Sequence, residues 1–308
     1  PATYYAAQHG VSVDADSIIV TMGSSSGFIL AFSGGFAPGS KIAVTRPGYP
    51  AYLNTLSGLG FRPVEIPISA ANGWHLSAAD IEAAYASEPF VGLLLASPAN
   101  PTGAAVSREQ LAEIVAVCAK LGVRFISDEI YHGLDYRGPS ASALELTRDA
   151  IVINSFSKYY CMTGWRVGWM VVPEDALRRV QILQQNMFIS APTLSQIAAR
   201  AALGERDYYE AQKAHYAQNR VLLGRGLRDI GFGVEDGAGA FYAYADVSRF
   251  TNDSLGFCKA LLQEAGVAAT PGVDFDRING QRFVRFSYAG STQTIERAIE
   301  RIGAFVRR

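Results

Sequence analysis

The stretch NSFSKYYCMTGWRVG (154–168) follows a β-type run and sets Lys158 among serines, aromatics and glycines, eight residues before Arg166. A lysine ordinarily keeps its ammonium in water, so a solvated surface residue is the plain reading of Lys158 taken alone. Its neighbours argue otherwise. No acidic residue lies between Lys158 and Arg166, while Ser155, Ser157, Thr163 and the backbone of Gly164 surround the two cations with small hydrogen-bonding groups. A strand that ends in such a turn offers a place for an anion.

The composition leaves the partner to be argued from this site. The chain of 308 residues carries 28 acidic and 27 basic side chains, a formal net charge of −1, and 49% hydrophobic residues. That balance supplies a large core and no global field toward nucleic acid or an anionic membrane. Cys118, Cys161 and Cys258 are odd in number and far apart, which speaks against a disulfide framework and for a reducing, cytoplasmic setting. His9, His75, His132 and His215 lack metal-ligand spacing, so no metal is expected. No apolar run reaches membrane-spanning length. The opening residues PATYYAAQHGVSVD (1–14) read as the end of a helix entering a turn, and further chain is expected upstream of Pro1.

On either side of the lysine turn, short β-rich runs alternate with helical ones: SIIVT (17–21), KIAVT (41–45), FRPVEIPI (61–68), VGLLLAS (91–97), VRFISD (123–128), AIVINS (150–155) and RVGWMVV (166–172). The alternation predicts an α/β fold with a mostly parallel central sheet flanked by helices. SREQLAEIVAVCAKLG (107–122) opens with Ser107, carries Gln110 three places on, repeats apolar residues at helical spacing and stops at Gly122, as a crossover helix should. The pattern from 174 to about 227 is helical, with breaks near Pro192 and Gly204, and RDYYEAQKAHYAQNRVLLGRGLRD (206–229) reads as one long connecting helix. Beyond it, GAFYAYADV (239–247), a helix over about 254–265, QRFVRFSYA (281–289) and a terminal helix from Thr292 make a smaller α+β unit. The expected division is a large domain over 1–228 and a small one over 229–308.

Parallel strands deliver functional side chains at their C-terminal ends. VGLLLASPANPTG (91–103) delivers Asn100, VRFISDEIYHG (123–133) delivers Asp128 and Tyr131, and AIVINSFSK (150–158) delivers Ser155 and Lys158. In TMGSSSGFILAF (21–32), residues 23–26 sit between a β-like and a helical run, where backbone amides at a helix N-terminus can receive a phosphate; a plain cap is the alternative. Pyridoxal phosphate needs a lysine for its aldehyde, a carboxylate for its ring nitrogen, donors near its phenolic oxygen and a phosphate cup. Each has a candidate here.

With those residues assembled, nearly the whole chain resembles the fold-type I, class I/II pyridoxal-phosphate-dependent aminotransferases. SPANPTG (97–103), SDEIY (127–131) and SFSKYYCMTGWRVGW (155–169) resemble family motifs in the family's order, and TMGSSSGF (21–28), RPGYPAY (46–52) and VRFSYAG (284–290) support them by position. The resemblance implies that Lys158 forms the Schiff base with the cofactor aldehyde, that Asp128 pairs with the ring nitrogen, and that Asn100 and Tyr131 hold the phenolic oxygen. It implies a phosphate site of Gly23, Ser24, Ser25, the Ser155 hydroxyl and Arg166, with Ser157 as an extra donor. Tyr49 would stack on the ring, and Arg285, with Asn100 beside it, would bind the substrate carboxylate. The implied reaction is ping-pong transfer of an amino group between an L-amino acid and a 2-oxo acid, in a cytoplasmic homodimer with shared active sites.

The same cofactor contacts would serve a C–S β-lyase of this fold, and an aminotransferase-like effector domain of a transcription regulator is a further alternative. Against that resemblance, the sequence is expected to lack the family's N-terminal segment, which completes the small domain and lends a tyrosine to the neighbouring subunit's phosphate site. Dicarboxylate-specific relatives of one subgroup carry an arginine in the segment corresponding to QQNMFISAP (184–192), whereas no arginine occurs over 180–199.

Overall fold

The computed structural model describes residues 1–307. In chain order, α1 (Ala2–His9), β1 (Ile18–Thr21), α2 (Ser24–Gly35), β2 (Lys41–Arg46), α3 (Pro50–Gly58), β3 (Arg62–Pro67) and α4 (Ala78–Ser87) come first. There follow β4 (Gly92–Ala96), α5 (Arg108–Leu121), β5 (Arg124–Asp128), β6 (Ile151–Ser155) and β7 (Gly168–Val171). These strands form one seven-stranded sheet in the order β1-β7-β6-β5-β4-β2-β3, parallel except for β7, which runs against both of its neighbours.

The apolar runs in these strands follow from burial on both faces. Successive residues of a strand point to opposite sides. In β4, Leu93 and Leu95 pack with Leu111, Ile114 and Val117 of α5, whereas Leu94 packs on the other face with Phe28 and Phe32 of α2. α5 keeps its predicted limits: the Ser107 hydroxyl accepts the Gln110 N–H, the Gln110 side chain accepts the Ser107 N–H, and Gly122 turns left-handed at φ 66° to end the helix.

The long helical region resolves into α6 (Glu174–Met187), α7 (Thr193–Ala202) and α8 (Arg206–Ile230). After it come β8 (Tyr242–Asp246), α9 (Ser254–Ala265), β9 (Thr270–Pro271), β10 (Phe283–Ser287) and α10 (Thr292–Val306), with the strands in the antiparallel order β8-β10-β9. Leu223 and Leu227 of α8 share a core with Phe257 and Leu261 of α9, Val284 and Phe286 of β10 and Ile302 of α10. Earlier in α8, Tyr209 belongs to the core under the large sheet, so the helix is built into both. Among the described residues no helix is long and apolar enough to cross a membrane.

Register places the site. Ala96 is paired with Asp128, and Asp128 with Ile153, so the turns after β4, β5 and β6 leave the same edge of the sheet side by side. α2 reaches that edge by lying close on α6, where Gly34 faces Val180 and an added Cβ would come within 2.6 Å of Val180 Cγ2. Gly34→Ala should therefore lower the unfolding free energy by about 1–3 kcal/mol, whereas Gly58→Ala, with nothing within 4 Å of its Cβ, should leave it equal or up to about 1 kcal/mol higher. Urea denaturation midpoints check both, and equal effects at the two positions would contradict the packing described.

Candidate active site

The three strand-end turns, the start of α2, the start of α3 and two strands of the small sheet enclose a cavity of about 330 Å³. Ser24, Ser25, Tyr49, Asn100, Asp128, Tyr131, Ser157, Lys158, Arg166 and Arg285 all line it, so most of the residues picked out from the sequence come together. Gly23 and Ser155 stand just behind. The buried Ser155 hydroxyl lies 3.0 Å from the Ser157 hydroxyl and accepts the Ser157 N–H. Thr163, read from the sequence as a hydrogen-bonding group beside the two cations, lines the cavity too, as do Phe28, Tyr52, Ile130 and Tyr242, which were not picked out.

Asp128 is 2% exposed at the end of β5. One carboxylate oxygen accepts from the Tyr52 hydroxyl and the other from the Ile130 N–H at 3.1 Å. Burial raises its pKa to about 6 against the pull of those hydrogen bonds and of Lys158. A carboxylate so placed gains from a cation brought against it. Lys158 is shifted the other way: burial, then Arg285 and Arg166, lower its pKa, while Asp128 opposes them. Its ammonium lies 5.9 Å from the Tyr131 ring and 5.7 Å from the Phe241 ring, contacts that attract the charged form weakly while burial favours the neutral amine.

At the opposite end, α2 begins with no side-chain cap, leaving the first amides of the helix to the cavity. Gly23 has φ 77°, and a Cβ there would lie 2.5 Å from Arg166 Nη2, so the guanidinium occupies the space a side chain would fill. Arg166 itself is left-handed at φ 51° and donates to the Thr163 carbonyl at 2.9 Å. Helix amides, hydroxyls and a guanidinium together form a donor set for a phosphate dianion. Arg285 donates to Asn100 Oδ1 at 2.8 Å and to the Thr270 hydroxyl at 3.1 Å, with its fork at the cavity wall.

The residues present thus fit pyridoxal phosphate at both of its ends: an uncapped helix start beside a guanidinium for the phosphate, and a buried carboxylate for a protonated ring nitrogen. The family model described as aminotransferase class I and II matches residues 2–302. This chain belongs to that family. This enzyme is accordingly a pyridoxal-phosphate-dependent transaminase. The valine–pyruvate aminotransferase of Mycobacterium tuberculosis is 48% identical over 310 residues, an alignment covering 99% of this chain and 79% of that one. The (5-formylfuran-3-yl)methyl phosphate transaminase of Methanocaldococcus jannaschii is 34% identical, covering 98% and 78%. A crystal structure of an aminotransferase from Mycobacterium tuberculosis superimposes with a TM-score of 0.96 at 47% identity, covering 99% of this chain and 80% of that chain.

Of the residues missed, Tyr52 lies in the first turn of α3, three places after Tyr49, which immediately precedes the helix, and their rings meet edge to face at 5.4 Å, a spacing legible in RPGYPAY. Tyr242 carried no local signal: its partners Tyr131 and Arg285 are distant in the chain.

Behind Asp128, Glu129 points away from the cavity and is wholly buried. It accepts from the Ala143 N–H at 2.9 Å and from the Ser142 and Ser127 hydroxyls, and its second oxygen lies 3.5 Å from His132 Nδ1. Burial raises the Glu129 pKa from 4.5 to about 8 and lowers that of His132 to about 3, favouring the neutral form of each. A folded pKa above the unfolded one gives stability that is complete below about pH 4.5 and is lost as pH rises through about 8. Glu129→Gln has no such term. The stability advantage of wild type over this variant should therefore shrink steadily between pH 5 and pH 8 in denaturant titrations, and a pH-independent difference would contradict the neutral Glu129.

Proposed function

We propose that the enzyme transfers an amino group between an L-amino acid with a neutral side chain and a 2-oxo acid, in two half-reactions at the cavity just described. The observation that carries this reading is the placing of Lys158 between a buried carboxylate, Asp128, and two guanidinium groups, Arg166 and Arg285, around one enclosed space. When bound there, pyridoxal phosphate supplies the electron sink for the charge left on the substrate carbon.

The chain's residues divide the remaining work. Ser24 and Ser25 at the start of α2, with Gly23, Ser155, Ser157 and Arg166, would hold the phosphate, and Tyr49 would lie against the ring. Asp128 would keep the ring nitrogen protonated, and Tyr52, donating to one of its oxygens, fixes the direction of the carboxylate. Asn100 and Tyr131 would hydrogen-bond the phenolic oxygen. Arg285 would grip the substrate carboxylate with a planar fork. Lys158 Nζ would be the amine for the aldehyde and the base for the substrate Cα proton; its lowered pKa favours the neutral amine that both roles need.

The neutral side chain follows from charge. The lining holds three cations, Lys158, Arg166 and Arg285, each with a task, and none is left among the described residues for a second substrate carboxylate. The valine–pyruvate activity named for the relative from Mycobacterium tuberculosis fits this class. A division at 228/229 falls near the C-terminal end of α8, whose Leu223 and Leu227 already pack in the core of the small unit. A homodimer is supported by the exposed apolar side chains of Met187, Ile189, Leu194 and Ile197 at the α6–α7 elbow, a surface suited to an obligate interface. Sedimentation at micromolar concentration should give a dimer, and a fully active monomer would contradict this.

Incubated with pyridoxal phosphate, valine and pyruvate, the protein should produce alanine and the branched oxo acid, with parallel double-reciprocal plots. kcat/KM for aspartate should be at least about tenfold lower. Release of ammonia and pyruvate from a cysteine thioether in place of transfer would support a β-lyase instead. Asp128→Asn should retain cofactor but lose on the order of a hundredfold in turnover, because an amide cannot stabilise the charge on the ring nitrogen; turnover near wild type would remove Asp128 from this role.

A further inference from the structure

Two contacts that the roles above do not use meet on Tyr242, the first residue of β8. Its hydroxyl lies 2.8 Å from the Tyr131 hydroxyl. Its ring lies under the Arg285 guanidinium, with 4.4 Å from the guanidinium carbon to the ring centroid. Phe275 faces the same guanidinium at 4.8 Å, so the fork is held between two aromatic faces. Tyr242 is 6% exposed, and it is tied to β10 by the pairing of Tyr242 with Ser287 two residues beyond Arg285.

We propose that Tyr242 is a positioning residue with two separable functions: its hydroxyl donates to Tyr131, and its ring orients Arg285 for a carboxylate. The inference rests on the site reading above, in which Tyr131 donates to the phenolic oxygen of pyridoxal phosphate and Arg285 binds the substrate.

Proton counting gives the direction of the first function. A phenol has one proton to donate. Tyr131 has a hydroxyl neighbour on one side and the cavity on the other. When its proton points into the cavity, the contact with Tyr242 persists only with Tyr242 as the donor. A donor into the Tyr131 oxygen polarises its O–H bond and strengthens the bond passed onward. The second function comes from the ring face, whose quadrupole attracts the guanidinium and limits its rotation. One side chain thereby couples the group at the phenolic oxygen to the group that holds the carboxylate.

The two functions separate by substitution, because phenylalanine keeps the ring without the hydroxyl and leucine keeps neither. The readouts are the pH midpoint of the visible absorbance after the full chain is loaded with pyridoxal phosphate, and the dissociation constant for isovalerate, a carboxylate without an amino group. A donor at the phenolic oxygen favours the deprotonated form, in which that oxygen carries the charge, so a weaker donor raises the midpoint. Tyr242→Phe should raise it by about 0.3–0.6 pH unit, and Tyr131→Phe by about 1 unit. Isovalerate binding to Tyr242→Phe should stay within about twofold of wild type, whereas Tyr242→Leu should share the raised midpoint and bind isovalerate about five- to tenfold more weakly. An unshifted midpoint in Tyr242→Phe beside a shifted one in Tyr131→Phe would overturn the inference alone, as would unchanged isovalerate binding in Tyr242→Leu. A wild-type chain with no titrating absorbance would overturn the site reading and the inference together.

Discussion

A carboxylate held out of water at the end of a central strand is the constraint around which this site is organised. Asp128 sits in the middle of the parallel sheet, 2% exposed, with its oxygens taken by the Tyr52 hydroxyl and the Ile130 N–H. Those two bonds orient the group, and burial raises its pKa to about 6 against their pull and that of Lys158. The pairing of β5 with β4 and β6 then brings Asn100 and Lys158 to the same edge. The α2 start and Arg166 complete the far end of the cavity, and Arg285 comes from the small sheet.

The electrostatics are lopsided in a useful way. Three cations and one carboxylate line the cavity, so its side chains carry an excess of positive charge that a phosphate and a substrate carboxylate would neutralise. The excess also acts on Lys158, since Arg285 and Arg166 add to burial in disfavouring its ammonium. Groups that bind the two anions therefore also prepare the amine. Asp128 is the one nearby group that opposes them, and a protonated ring nitrogen would draw on that same negative charge.

Much of this was legible because the signals are local. Ser107, Gln110 and Gly122 set the limits of α5 within one turn at each end, and the structure closes the helix with those side chains and that left-handed glycine. Asn100, Asp128 and Lys158 were found because strand ends face one edge in a parallel sheet. What escaped was non-local. Thr270 on the two-residue β9 meets Arg285 only through the pairing of two short strands, and Tyr242 reaches Tyr131 across the gap between the two sheets. A tyrosine in a β-run otherwise reads as packing, and only the third dimension distinguishes the two.

The central claim is that Lys158 is the amine that bonds the cofactor aldehyde. Borohydride reduction of the full chain loaded with pyridoxal phosphate, followed by peptide mass spectrometry, tests it most directly. The account predicts a single pyridoxyl adduct on the peptide carrying Lys158. An adduct found reproducibly on another lysine, with Lys158 unmodified, would contradict it.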